Sequence, residues 1–253
     1  MIYGKSGEKN SMLYDPLYTM KTTIAGQMLL SLWSEKLVEA EPRIKFIQHN
    51  TDGISYMIPK DSLPKIHKVS EYITKTTGLF IEDSEYKKFI ILNVNNYIAQ
   101  YTNGQAKHKG CFEIDKELHK NSSMRIVPIA LSNYFLKGIP INDTILNHDN
   151  IYDFCLKLKI NNNSRGLYRS LEDGVIKDSE LSKTTRYFVS NKGGILLKKL
   201  PKSLNGVNVG YTVTLFNRYY KDDMLGYDIN YKFYERECMK IIHQIEDKQL
   251  ELF

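Results

Sequence analysis

Residues 43–59, RIKFIQHNTDGISYMIP, restrict this chain more than any other stretch. Apolar and polar side chains alternate on both sides of its middle, with Ile44 and Phe46 before it and Ile54, Tyr56 and Ile58 after it. A period of two is that of half-buried strands. Two antiparallel strands are therefore predicted, joined at Asn50-Thr51-Asp52-Gly53. An Asp-Gly pair suits such a turn because glycine enters positive φ without a Cβ clash, and the strands hold the Asp52 carboxylate at a fixed, exposed height. A carboxylate so held is a candidate metal ligand. Taken alone, Asp-Gly is first a turn-former; the company it keeps makes Asp52 a functional candidate.

A helix is expected to lead into this hairpin from about Tyr18, with Met20, Ile24, Met28 and Leu32 at i+4 spacing, and to stop at Pro42. The stretch before it, rich in Gly, Lys, Ser and Asn, reads as a loop. Ser62 is expected to cap a second helix over 63–76, with Leu63, Ile66, Val69 and Ile73 as its apolar stripe and Gly78 as its terminator. Strands are predicted at 79–82, 86–93 and 97–101, the last turning at Asn103-Gly104 into 105–113. Residues 1–115 thus read as helices on one antiparallel sheet, an α+β arrangement. Beyond them the texture changes to a mixed, mainly helical region over 116–248. Helices are predicted there at 127–137 and 150–159, strands at 186–190, 195–199 and 211–216, and a last helix from about Asn230 carrying Tyr231, Tyr234, Cys238, Ile241 and Ile245.

With 42% hydrophobic and 25% charged residues over 253 positions, the composition is that of a globular protein. No apolar run approaches the ~20 residues that span a bilayer, and the first residues lack the apolar core of a signal peptide. A cytoplasmic protein with no membrane partner is expected. Cys111, Cys155 and Cys238 stand singly, with no CxxC pair, and are expected to be buried thiols rather than a disulfide or zinc framework. The net charge of +6 is unevenly placed: from Leu181 to Lys221 there are eight lysines and arginines, Lys198 and Lys199 among them, and no Asp or Glu. Such a segment reads either as a solvated face or as the footprint of a polyanion such as a phosphate backbone.

In this order, the segments resemble the C-terminal part of a family B DNA polymerase of the tailed-bacteriophage kind. Tyr3-Gly4 resembles the end of the fingers motif. Asn50-Thr51-Asp52 stands where that family has Asp-Thr-Asp in a palm hairpin. Val94-Asn95-Asn96-Tyr97, followed by Asn103-Gly104 and by Lys107 and Lys109, resembles its Lys-Lys-x-Tyr element, and residues 228–234 resemble the closing helix of its thumb. The resemblance implies the end of the fingers and the palm at 1–115, a thumb at 116–248, and template-directed nucleotidyl transfer in replication within a bacterial host. It implies Asp52 as catalytic and metal-binding, Tyr3 and Gly4 near the nascent base pair, and Asn50, Thr51 and Gly53 as shapers of the turn. DNA contacts are implied at Asn96, Tyr97, Lys107, Lys109, Lys198 and Lys199, and the partners are primer-template DNA and deoxynucleoside triphosphates.

The departures bear on the mechanism. Asn50 replaces the first Asp of the hairpin motif, and Val94 and Asn95 replace both lysines of the later element. The fingers lysine, the first catalytic Asp and an exonuclease domain have no counterpart in these residues. A two-ion Mg²⁺ site needs at least two carboxylates from different segments, and Asp61, Asp83 and Glu85 read as solvated surface acids. The expectation is therefore a polymerase portion that completes its site with a separately encoded N-terminal part, or else a truncated sequence. The alternative is a noncatalytic module that binds duplex DNA and docks a sliding clamp. The tail at 249–253 resembles the peptide by which bacterial replication proteins bind that clamp, with Gln249, Leu250, Leu252 and Phe253 as the contacting residues.

Overall fold

In the computed structural model of the protein, the described residues are 2–115, 123–172, 174–200, 203–208, 210–216 and 226–250, the side chains of Glu172 and of residues 248–250 excepted. The fold is α+β, with every paired strand among them antiparallel. It divides into two compact units, Met1–Ser84 and Glu85–Phe253. The division falls between Ser84 and Glu85, and the sheet that follows Ser84 sends Ile90 and Ile98 into the second unit's core.

In the first unit a short helix α1 (Ile2–Ser6) stands in what reads as a loop. Next comes α2 (Pro16–Ala40), which starts where Asp15 accepts a hydrogen bond from the Tyr18 amide at 2.9 Å and proline occupies the first turn. The hairpin strands β1 (Lys45–His49) and β2 (Ile54–Met57) pair as predicted, with one departure. A bulge between Phe46 and Gln48 resets the alternation, so Gln48 is buried and Phe46 is exposed. Helix α3 (Leu63–Thr77) ends at Gly78 in the left-handed region, φ 70°.

Ser62 does not cap α3 through its side chain. Its hydroxyl donates instead to Glu41, a carboxylate only 1% exposed at the end of α2. Arg43 grips the same carboxylate through Nε at 2.8 Å and Nη2 at 2.9 Å, its backbone amide donates at 3.1 Å, and Lys65 of α3 approaches to 3.4 Å. Asp61 lies 3.3 Å from Arg43 Nη2. One carboxylate thereby ties the end of α2, the entry to β1 and the start of α3.

The second unit begins with a three-stranded sheet of β3 (Tyr86–Asn93), β4 (Asn96–Tyr101) and β5 (Ala106–Lys109). Residues 79–82, expected as a strand, form none. Helix α4 (Ile126–Ser132) continues through a π-helical turn, Asn133–Lys137, to Gly138, and α5 (Ile141–Leu146) and α6 (Ile151–Phe154) follow. The helix expected at 150–159 stops at Phe154. Leu156 and Leu158 alternate with Lys157 and Lys159, and that period makes the segment β6 (Leu156–Lys159).

Six further strands follow: β7 (Arg165–Glu172), β8 (Val175–Glu180), β9 (Thr184–Ser190), β10 (Ile195–Leu200), β11 (Ser203–Gly206) and β12 (Thr212–Leu215). They form a three-stranded sheet in the order β12-β9-β6 and a four-stranded one in the order β11-β10-β7-β8. The region expected to be mainly helical is therefore built largely on sheets. Its charged and serine-rich strands, as in RGLYRSLE and VIKDSE, mask the period of two. Strand β8 is an edge strand exposed along its whole length, joined to β7 by a forked ion pair in which Arg169 Nε and Nη2 reach Asp178 at 2.7 and 2.8 Å.

The final helix α7 (Tyr231–Leu250) buries Phe233, Tyr234, Cys238, Ile242 and Ile245 against α4 and the sheets; Ile241, expected on that stripe, is half-buried. The Tyr234 hydroxyl donates to the Phe154 carbonyl at 2.8 Å and accepts from the Val189 amide at 2.9 Å. Cys155 and Cys238 are buried, and burial pushes both thiols up to about 12, whereas Cys111 is exposed, against the expectation that all three are buried.

Hydrogen bonds from Arg43 and Ser62 hold the Glu41 carboxyl well below the ordinary carboxylate range. Because its folded value lies below its unfolded one, its contribution to stability is complete above about pH 4.5 and is lost as pH falls through the depressed folded value. In thermal melts from pH 7 to pH 3, Glu41→Gln is expected to melt lower than the natural chain at pH 7, with a gap that narrows steadily below about pH 4.5. A gap independent of pH would contradict this.

Candidate nucleic-acid interface

In the first unit, Asp52 and Thr51 stand exposed at the tip of the β1–β2 hairpin. The tip is a four-residue loop, 50–53, closed by the Asn50 amide donating to the Gly53 carbonyl at 2.8 Å. Gly53 is not among the glycines at positive φ, which corrects the reason given for it by the sequence. With four residues to reverse direction, the chain does not need the mirror-image turn that demands glycine. Strand β1 runs back beside α2, with His49 Nε2 3.5 Å from Ser34 Oγ, and the Phe46 ring meets those of His49 and Tyr56 edge-on at 5.0 and 6.5 Å. Burial, with Asp83 nearby, pushes the Tyr56 phenol up to about 12, so it stays neutral beside the strand.

The Asp52 carboxylate therefore projects into solvent from a base pinned at Glu41. A hard divalent cation takes about six oxygen donors. The tip offers the Asp52 carboxylate, chemistry that fits a share of such a shell. Among the described residues no group of three or more His, Cys, Asp or Glu side chains converges. Asp61 is engaged with Arg43, as a surface acid should be. Tyr3 lies in α1, its hydroxyl 2.8 Å from Thr23 Oγ1 and its ring exposed; Gly4 has open space where a Cβ would stand, so the fold does not require glycine there.

In the second unit, pairing register assembles a cationic face. Tyr97 lies opposite Lys109 and Ile91, and Ala99 lies opposite Lys107 and Phe89, so these side chains share one side of the sheet. The other side carries Ile90 and Ile98 into the core, with His108 Nε2 2.9 Å from Ser132 of α4 and Lys88 donating to the Phe135 carbonyl at 2.8 Å. Tyr97 is only 6% exposed, its ring stacked on Phe89 at 5.2 Å. Burial works to lower the Lys107 ammonium, but the phenolic groups of Tyr97, Tyr86 and Tyr101 outweigh it and hold it above the ordinary lysine value. Lys107 and Lys109 themselves are exposed.

Asn96 is not placed for a DNA contact. Its Oδ1 accepts from the Cys111 amide at 2.7 Å and its Nδ2 donates to Asn93 at 2.8 Å. It brackets Gly110, which sits at φ 66° where a Cβ would come within 2.2 Å of the Asn95 carbonyl oxygen. Lys198 and Lys199, adjacent on β10, point to opposite faces of their sheet, Lys198 half-buried and Lys199 exposed. Lys157, hidden from sequence reasoning by the helix assigned to it, sits across from Arg186 and two residues from Lys159. Burial and these two cations lower its ammonium. Recognising the period of two in LKLK is the signal that finds it.

Gln249 and Leu250 continue the backbone of α7, so an extended tail would begin by unwinding its last turn. Leu252, Phe253, Lys202, Arg218 and Lys221 lie outside the described residues. No described helix is long and apolar enough to cross a membrane. Comparison with protein-family models and with curated proteins finds no match.

The geometry separates the lysines by their salt dependence. If Lys107 and Lys109 both neutralise phosphates, replacing both by alanine flattens the slope of log K against log salt for duplex DNA by about 2. The Lys198→Ala, Lys199→Ala double variant flattens it by about 1 at most, since a single duplex meets only one face. Fluorescence anisotropy titrations across a series of salt concentrations measure both, and equal losses would refute the assignment of faces.

Proposed function

We propose that the chain is the C-terminal portion of a DNA-directed DNA polymerase of the family B kind. In this reading it carries one metal-holding carboxylate, Asp52, and completes its active site with an N-terminal part that supplies the other carboxylates and the fingers lysine. The observation that carries the reading is the placement of Asp52. It is an exposed carboxylate at the tip of a rigid hairpin whose base is fixed by a buried Glu41–Arg43–Ser62 cluster. An acid left bare at such a tip does not suit a surface meant only for phosphates, which it repels.

In that enzyme Asp52 would help to hold Mg²⁺, which would supply charge stabilisation for the attacking and leaving oxygens of nucleotidyl transfer. The chain's own residues orient and hold. Residues 50–53 fix the height of the carboxylate, Tyr3 presents a ring for the nascent base pair, and Lys107 and Lys109 neutralise backbone phosphates of the primer-template. In the same reading residues 1–115 are the end of the fingers and the palm, with the primer-gripping element on the β3-β4-β5 sheet, and residues 116–248 act as thumb. The tail, with Gln249, Leu250, Leu252 and Phe253, docks a sliding clamp of the bacterial type.

Mixing the chain with a polypeptide carrying the N-terminal polymerase segments is expected to yield Mg²⁺-dependent primer extension that neither shows alone. Asp52→Asn is expected to cut that extension on the order of a hundredfold or more while duplex affinity changes less than about twofold. Undiminished extension by Asp52→Asn refutes the catalytic role. Binding with no extension under any pairing favours the noncatalytic DNA-binding module. Deleting residues 249–253 is expected to leave short-primer extension unchanged and to remove stimulation by a bacterial sliding clamp; persistent stimulation places clamp contact elsewhere.

A further inference from the structure

The contacts of α2 with α1 and β1 leave one stripe of the helix uncovered. Helix α1 touches it hydroxyl to hydroxyl, Ser6 Oγ to Thr19 Oγ1 and Tyr3 Oη to Thr23 Oγ1, both at 2.8 Å, and His49 of β1 approaches Ser34. At 3.6 residues per turn, these three positions of α2 lie at least about 120° around the axis from Met28. On the Met28 side, Lys21, Ile24 and Glu35 are exposed, Leu32 is half-buried, and Met28 itself is 68% exposed. A shallow groove of about 340 Å³ runs along this stripe, lined by the i+4 rows Ile24-Met28-Leu32 and Gln27-Ser31-Glu35. Lys21, Met28 and Glu35 are spaced by seven, as one seam position of a helix pair is. Lys21 and Glu35 are also the only charged residues of 16–35. Neither forms an ion pair among the described residues, and Lys36, next to Glu35, is taken by Glu39 at 2.6 Å. A surface helix ordinarily presents many charges to water, and an apolar stripe of this kind marks a contact surface.

We propose that the stripe is an interface between two copies of the chain, with their α2 helices antiparallel about a two-fold axis at Met28. The charges identify the occupant, because the stripe is complementary to itself. Pairing about Met28 sets Met28 against Met28, Ile24 against Leu32, Ala25 against Ser31, and Lys21 against Glu35 of the other copy, each unlike pair twice by symmetry. Parallel pairing in register instead sets Lys21 against Lys21 and Glu35 against Glu35. Antiparallel pairing about Ile24 sets Lys21 against Gln27 and carries Glu35 past the start of the partner helix, opposite Leu13. Of these three arrangements, only the first buries the apolar centre and joins both charges. The seam from Lys21 to Glu35 is roughly 21 Å long at 1.5 Å rise per residue, so it buries an area at the small end of specific interfaces. Dimerisation is therefore expected at micromolar rather than nanomolar concentration.

Sedimentation equilibrium of the full chain across the micromolar range is expected to show a reversible monomer–dimer equilibrium. Met28→Asp places two carboxylates on the axis and is expected to abolish it, with an unchanged melting temperature because the position is exposed. Lys21→Glu alone, or Glu35→Lys alone, sets like charges against each other at both ends of the seam and is expected to weaken the dimer at least about tenfold. The Lys21→Glu, Glu35→Lys double variant restores unlike pairs and is expected to recover the dimer. Mixing the two single variants also sets every charge against its opposite, so a heterodimer tighter than either variant's homodimer is expected. A chain that stays monomeric over the range overturns the proposal, as does dimerisation that Met28→Asp leaves unchanged. Failure of both the double variant and the mixture to recover association overturns the antiparallel register. Flotation of a monomeric chain with phosphatidylglycerol vesicles, lost in Met28→Asp, assigns the stripe to a lipid surface and overturns the dimer.

Discussion

The buried carboxylate of Glu41 is the point on which the first unit turns. A buried carboxylate is costly unless its oxygens are fully occupied, and here both are, by the Arg43 fork, the Ser62 hydroxyl and Lys65. Because these partners come from three successive segments, satisfying one charge fixes how α2, the hairpin and α3 converge. The hairpin itself is short and bulged, and such a ribbon is marginal by itself. Its rigidity is borrowed from this cluster at its base, which leaves the tip free of any structural duty.

The second unit solves a comparable problem with a phenol. Tyr234 is fully buried, yet its hydroxyl is satisfied on both sides, by Phe154 before β6 and by Val189 of β9. Burial pushes that phenol far above its ordinary value, so at neutral pH it is a neutral donor and acceptor. The rings of Phe154, Phe233 and Tyr234 meet edge-on at 5.2 Å around it. Helix α7 is thereby keyed to the sheet by direction as well as by apolar contact, which the stripe of hydrophobic residues alone does not provide.

The α+β class, the hairpin, the long α2, the Gly78 stop, the β3-β4-β5 meander and the final helix were legible because each has an unbroken period or a strong turn residue. The β7–β8 pair was not, because its outer strand has no buried face to write a pattern, and in RGLYRSLE and VIKDSE the apolar residues fall among charges and serines without a sustained alternation. Segment 156–159 was misread as helix because four residues carry too few repeats to choose between periods. At the site, Asp52 at an exposed tip was foreseen. The role of Asn96 was not, since its occupation by Cys111 and Asn93 depends on a chain reversal fifteen residues away. The division of Lys198 from Lys199 follows directly from strand geometry once β10 is recognised.

The β7–β8 ribbon behaves differently from everything around it. Its outer strand is exposed along its whole length and is held by a ladder of backbone bonds and by surface contacts that include the Arg169–Asp178 fork and the Arg165–Glu180 pair. Opening that strand exposes little apolar area, so its free energy is a small fraction of that for the whole unit. Amide exchange in residues 175–180 therefore reports local fraying while the amides of β9 report global unfolding. Since an exposed ion pair is screened by electrolyte, the two rates part company as ionic strength rises. The protein carries, in one hairpin, an internal gauge of how strongly its surroundings screen charge.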